Sequence, residues 1–74
     1  MDHQLDTKGL TCPLPLFRTK KVLSGLQPGD VLEVEASDPH APIEIRNLCI
    51  MDGHELLSDE TIPEGFRLRI RRGA

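Results

Sequence analysis

A chain of 74 residues, 38% hydrophobic and 28% charged, has the size of one small domain, 1–74, and can bury only roughly 60% of the surface its unfolded form exposes. Acidic residues outnumber basic ones 12 to 9, a net charge of −3, so bulk electrostatics exclude nucleic acid and anionic membranes as expected partners. No apolar run approaches the ~20 residues of a membrane span, and Met1-Asp2-His3-Gln4 has neither the charged nor the apolar region of a secretion signal, which leaves the cytoplasm as the expected compartment.

In chain order, residues 3–8 alternate as a short strand that Gly9 ends. The next stretch, Gly9-Leu10-Thr11-Cys12-Pro13-Leu14-Pro15-Leu16, sets a cysteine directly before a proline-started helix. A residue preceding proline is pushed out of the α region, whereas proline's fixed φ and missing N–H suit a first helical turn. Cys12 is therefore predicted as the N-cap and Pro13 as the first helical residue. Leu14 also precedes a proline, so the alternative is a helix starting at Pro15 with Cys12 in the loop just ahead. From Pro13 to about Leu26, Leu16, Thr19, Val22, Leu23 and Leu26 share one side at 3.6-residue spacing, and Gln27-Pro28-Gly29-Asp30 stops the helix, with Gly25 or Gly29 as C-cap.

Val31–Ala36 reads as a strand with Leu32, Val34 and Ala36 on one face and Glu33 and Glu35 on the other. Asp38 or Ala41 is expected to cap a second helix from about Pro42 to Met51, whose inward side carries Ala41, Ile45, Leu48 and Cys49; Asp52-Gly53 ends it. Residues 54–59 and 66–71 form two strands around the turn Ile62-Pro63-Glu64-Gly65, with Phe66, Leu68 and Ile70 inward and Arg67, Arg69 and Arg71 on the wet face beside Glu33 and Glu35. Cross-strand ion pairs account for these arginines, and no aromatic stands among them to stack a base, so direct nucleic-acid binding is not expected. The order βαβαββ with one polar sheet face implies an α/β (α+β) two-layer sandwich, a four-stranded mixed sheet with two helices on one face.

Cys12 and Cys49 form neither a disulfide framework nor a CxxC pair, and no zinc-like ligand spacing exists, so no metal is expected. Cys49 is expected to pack as a small hydrophobe. Cys12 is expected to be reactive, because a helix dipole and free amides stabilise a thiolate and draw a cysteine pKa from about 8.5 toward or below neutrality. Pro13 and Pro15 supply no N–H, which leaves the amides of Leu14 and Leu16, and that of Leu14 is expected to face the sulfur. Acyl transfer by a thiol needs a nearby base, an oxyanion hole and a larger cleft, and His3, His40 and His54 are expected to be solvated surface residues. Sulfur transfer asks only for an exposed thiol that attacks a persulfide and holds the sulfur as Cys–S–S⁻. A helical wheel also groups Leu14, Phe17 and Lys21, with Arg18 alongside, on the outward side of the first helix. That patch is expected to dock a protein partner, while Lys20 and Lys21 favour a persulfide anion or an acidic partner.

Leu5-Asp6, Gly9-Leu10-Thr11-Cys12-Pro13-Leu14-Pro15, Lys20-Lys21, Gln27-Pro28-Gly29-Asp30, Asp38-Pro39, Ile45 and Gly53-His54-Glu55-Leu56 together resemble the TusA/SirA family of sulfur carriers along essentially the whole chain. The resemblance implies a βαβαββ sandwich in which Cys12 takes persulfide sulfur from a cysteine desulfurase or rhodanese and passes it to an acceptor protein. Acceptors in the family serve tRNA thiolation, molybdenum-cofactor sulfuration or sulfur oxidation. It further implies supporting roles for Pro13, Leu14 and Pro15 of the CPxP motif and for Lys20 and Asp38, with a covalent persulfide on Cys12 in place of any bound cofactor. A monomer is expected, although neither the residues nor the resemblance fixes the oligomeric state. Leu14 stands where many relatives carry a polar residue and Ser37 where an acid often precedes Asp-Pro, both at positions that bear on which partners dock. The alternative reading is a non-catalytic interaction or regulatory module in which Cys12 only caps a helix; a thiol-redox sensor is a third, disfavoured by the separation of the cysteines.

Overall fold

The computed structural model describes residues 2–73. Their elements follow the order β1 (Asp2–Thr7), α1 (Leu14–Ser24), β2 (Val31–Ala36), α2 (Ala41–Asp52), β3 (Glu55–Ile62) and β4 (Gly65–Arg71). The four-stranded sheet runs β1-β2-β4-β3, with β1 parallel to β2 and the other pairs antiparallel. Two helices and a mixed sheet in this order are the architecture expected from the alternation of hydrophobic periods.

Burial follows the period-2 and period-3.6 patterns. Leu32, Val34 and Ala36 of β2 and Leu68 and Ile70 of β4 are fully buried, and Leu23 of α1 and Ala41, Ile45, Leu48 and Cys49 of α2 close over them. Leu5, Leu16, Val22, Leu26, Leu56 and Phe66 pack around that centre, half-buried. At about 25 cal/mol per Å² of apolar surface, this core is the main source of stability in so small a chain. Within α1 the most buried positions are Pro15, Thr19 and Leu23, a row at i, i+4, i+8. The inward role of Pro15 was not expected. No helix among the described residues is long and apolar enough to cross a membrane.

Most element ends shift by one or two residues from the sequence reading, and α1 stops at Ser24 rather than about Leu26; three departures have a visible cause or consequence. α1 starts at Leu14, not Pro13, because the Leu14 N–H closes a turn onto the Thr11 carbonyl at 2.9 Å; Pro13 is the N-cap, and its carbonyl accepts from Phe17 at 3.2 Å. Cys12 is thus one residue ahead of the cap and joined to Pro13 by a cis peptide. α2 starts from His40 as N-cap rather than Asp38 or Ala41, although Asp38 serves that start by accepting the Ala41 N–H on its carbonyl at 3.0 Å. β3 continues to Ile62, where Ile62 pairs with Gly65 around Pro63-Glu64, and an irregularity between Leu56 and Ser58 displaces Leu57 from the register.

The polar sheet face carries the expected ion pairs, with partners that the sequence order did not specify. Arg67 bridges Glu35 at 2.9 Å and Glu60 at 3.3 Å, Arg69 reaches Asp2 at 3.5 Å, and Arg71 pairs with Glu55. Arg72 turns away to donate to the Leu23 carbonyl at 2.8 Å, a second donor there beside the Leu26 N–H at 3.1 Å, at the end of α1.

Candidate functional site

The two inter-element loops that follow β1 and β2 converge because these strands are parallel neighbours, so the segment after Thr7 lies beside the segment after Ala36. Gly9 N–H donates to Ser37 Oγ at 2.9 Å, which ties the loops at their base. Farther out, Asp38 holds both: its Oδ2 accepts the Cys12 N–H at 2.6 Å, and its Oδ1 accepts the His40 N–H at 2.8 Å with the His40 ring at 3.1 Å. The amides of His40 and Cys12, in that order, hold the Asp38 carboxyl below its ordinary range.

Cys12 is exposed and free, and its thiol donates to Glu44 Oε1 at 2.6 Å. Glu44 lies in the first turn of α2, positioned by its own N–H on the His40 carbonyl at 3.2 Å. Its other oxygen, Oε2, is buried with no hydrogen-bond partner among the described residues.

This carboxylate reverses the expected electrostatics. The Cys12 thiol is pushed up to about 11, first by the hydrogen bond to Glu44, then by lost hydration, then by the charges of Glu44 and Asp38. A helix N-terminus carries only about half a positive charge. Here the Leu14 amide that was expected to face the sulfur is spent on Thr11, and Pro13 and Pro15 offer none. A full negative charge in contact with the thiol therefore prevails, and the predicted lowering is corrected to a raising.

Beside the thiol, α1 and α2 form a groove of about 270 Å³ lined by Leu16, Phe17, Lys20, Glu44, Leu48 and Met51 among others. On the far side of Phe17 a second depression is lined by Leu14, Phe17, Arg18 and Lys21 together with Leu5 and Val22. Leu14 and Phe17 are 45% and 58% exposed, so the outward patch read from the helical wheel is contiguous on the surface. Lys20 parts from Lys21 and faces the groove shared with Glu44.

A sequence profile described as sulfurtransferase TusA matches residues 3–72. The chain belongs to the TusA family. The fold is shared with the crystal structure of a SirA-like protein from Desulfitobacterium hafniense, 23% identical, over 97% of this chain and 99% of that one, with a TM-score of 0.85. TusA-family proteins are sulfur carriers or sulfurtransferases, and that general role extends to this chain.

In this TusA-family chain Cys12 and Asp38 meet directly, Pro13 is the N-cap of α1, and Pro15 is buried in its first turn. Cys49 lies in the core, its thiol pushed up chiefly by burial. Among the described residues no histidine hydrogen-bonds the sulfur: His3 lies 3.6 Å from Asp30, His54 accepts the Gly73 N–H at 3.0 Å, and His40 touches Asp38. Glu44 is the residue that sequence reasoning missed. An acid in a first helical turn is an ordinary favourable feature, and its reach to Cys12 depends on how α2 seats against the loop after β1.

Proposed function

We propose that this protein is a sulfur carrier in which Cys12 takes a sulfane sulfur from a donor protein and delivers it to an acceptor protein. The Cys12 sulfur attacks the outer sulfur of the donor's persulfide and the donor's S–S bond breaks. The donor cysteine leaves as a thiolate that gains the proton Cys12 gives up, and the product is Cys12–S–S⁻. Sulfane sulfur changes hands without net oxidation, so no redox cofactor or metal is called for. The observation that carries this reading is an exposed cysteine, free of any disulfide, at the loop junction of a TusA-family fold. A thiol buried like Cys49 has no route to a partner's persulfide.

The donor is a cysteine desulfurase or a rhodanese, docking on Leu14, Phe17, Arg18 and Lys21. The acceptor belongs to tRNA thiolation, cofactor sulfuration or sulfur oxidation, and the carrier acts as a cytoplasmic monomer. Lys20 supplies a positive charge near the site, and Asp38 fixes the backbone of the cysteine. Incubation with a persulfide-bearing donor is expected to add about 32 Da, one sulfur atom, by intact mass, and Cys12→Ser is expected to abolish the adduct. An adduct that survives Cys12→Ser refutes the assignment. No adduct on the wild-type chain favours the rival, a non-catalytic interaction module, for which the thiol held by Glu44 is the supporting observation.

A further inference from the structure

We propose that Glu44 is a proton lock on Cys12, and that the lock opens when a donor protein sets a cationic side chain against the Glu44 carboxylate. The inference rests on the carrier reading of Cys12 and adds the chemistry that a donor must bring.

Two contacts carry it. Glu44 Oε1 takes the thiol hydrogen at 2.6 Å, an arrangement that a thiolate, having no hydrogen to give, abolishes. Glu44 Oε2 is buried without a hydrogen-bond partner among the described residues, although buried carboxylate oxygens are nearly always met, so nothing among them offsets this carboxylate, whose residue borders the groove between α1 and α2 from which a cation can approach. The charged surroundings do not offset it. Asp38 and His40, from the loop before α2, hold each other, and Asp38 also holds the Cys12 amide; Lys20 of α1 lines the same groove without an ion pair to Glu44 among the described residues, and Asp52 at the other end of α2 adds only negative charge. A guanidinium or ammonium brought into the groove against Glu44 offsets the carboxylate charge that opposes the thiolate and frees the sulfur to attack. The free carrier thereby stays silent toward stray oxidants and electrophiles, and reacts where its donor is docked.

The test uses the whole protein, with Cys12→Ser as the control that subtracts Cys49. Rates of alkylation by iodoacetamide against pH give the midpoint of thiolate formation. Glu44→Gln is expected to lower that midpoint by a pH unit or more, so alkylation at pH 8 rises about tenfold. Exchange with small disulfides reads the cation requirement on the unmodified chain. Cys12–S⁻ attacks one sulfur of cystamine, the probe's S–S bond breaks, a mixed disulfide forms and one cysteamine thiolate leaves with the displaced proton. At low salt, wild type is expected to react about tenfold faster with dicationic cystamine than with neutral 2-hydroxyethyl disulfide, after correction for intrinsic reactivity, and Glu44→Gln to erase most of that ratio. A midpoint unmoved or raised by Glu44→Gln, or equal wild-type rates with both probes, overturns the proposal. Sulfur loading that persists beside an unmoved midpoint overturns the lock alone. Absence of any sulfur adduct overturns the carrier reading, while the thiol titration still reports on Glu44 by itself.

Discussion

One carboxylate, that of Asp38, grips the backbone of Cys12 at 2.6 Å through Oδ2 and the backbone of His40 at 2.8 Å through Oδ1. The cysteine loop is therefore fastened to the start of the helix that carries Glu44, and the thiol's geometry depends on a residue that never touches the sulfur.

Loss of this clasp is expected to lower stability and loosen the thiol together. Asp38→Ala should lower Tm by several degrees and also bring the Cys12 midpoint down, by less than Glu44→Gln does, because Asp38 is the smaller of the charges opposing the thiolate. The folded-state value of Asp38 lies below its ordinary 3.8, so its stabilisation is fully present above that value and fades as pH falls through the depressed one. The Tm gap between wild type and Asp38→Ala should hold from neutrality to about pH 5 and shrink below about pH 4. A gap that stays constant down to pH 2 would show that the carboxylate contributes no charged interaction.

Glu35 is the corresponding hub on the open sheet face, with Lys8 at 2.6 Å and Arg67 at 2.9 Å. Lys8 first and Arg67 second hold its carboxyl below the ordinary 4.5, and both cations are raised in return. The sign is that of a depressed acid: stability contributed above the ordinary value and lost on acidification. Because these groups remain partly hydrated, Glu35→Gln should cost little, and the cost should fall further when salt is raised to about 0.5 M. Carboxyl titration by NMR should place Glu35 below 4.5; a value at or above it removes the argument.

Most of the fold was legible because burial imposes periods. Leu32, Val34 and Ala36 on one face of β2, and Ala41, Ile45, Leu48 and Cys49 on one side of α2, were all read correctly. Local chemistry also pointed to an exposed Cys12 near a helix entrance and grouped Leu14, Phe17, Arg18 and Lys21, which line one depression; the roles given to them are proposals. The sign of the thiol shift was not legible, since it depends on Glu44, 32 residues away in sequence. Sequence gives a helix terminus its dipole but not the side chain that another helix leans over it. The start of α1 was misplaced for a related reason: proline preferences fix where a helix can begin, while the Thr11 carbonyl decided where the Leu14 amide went.

Gly65 couples the sheet to the site. Its φ of +148° is one that side chains rarely adopt, and a Cβ there would run into the Ala36 carbonyl oxygen and approach the Ser37 Cα to 2.8 Å. That backbone leads directly into Asp38, so Gly65→Ala must push β4 away from the loop that holds Cys12. A loss of about 2–3 kcal/mol in urea unfolding is expected, together with a change in the Cys12 alkylation profile. Leu68→Ala, a fully buried core truncation in the same strand, should cost a similar ~2–5 kcal/mol while leaving that profile near wild type. Equal effects of the two variants on the thiol would deny Gly65 any special link to the site.

Thr19 offers the opposite kind of test, a gain. It is 0% exposed in the middle of α1, and its Oγ1 has no hydrogen-bond partner among the described residues. A buried hydroxyl left unmet carries a desolvation penalty of about 1–3 kcal/mol, and valine keeps the branched shape with nearly the same helix propensity. Thr19→Val should therefore stabilise the protein by about 1 kcal/mol, which in a domain this small raises Tm by about 4–8 °C. Thr19→Ala removes the hydroxyl together with the methyl that packs in the row between Pro15 and Leu23, and should gain less or lose. If calorimetry instead finds Thr19→Val below wild type, the hydroxyl is donating to a carbonyl within its own helix, and the row is held by that bond as well as by packing.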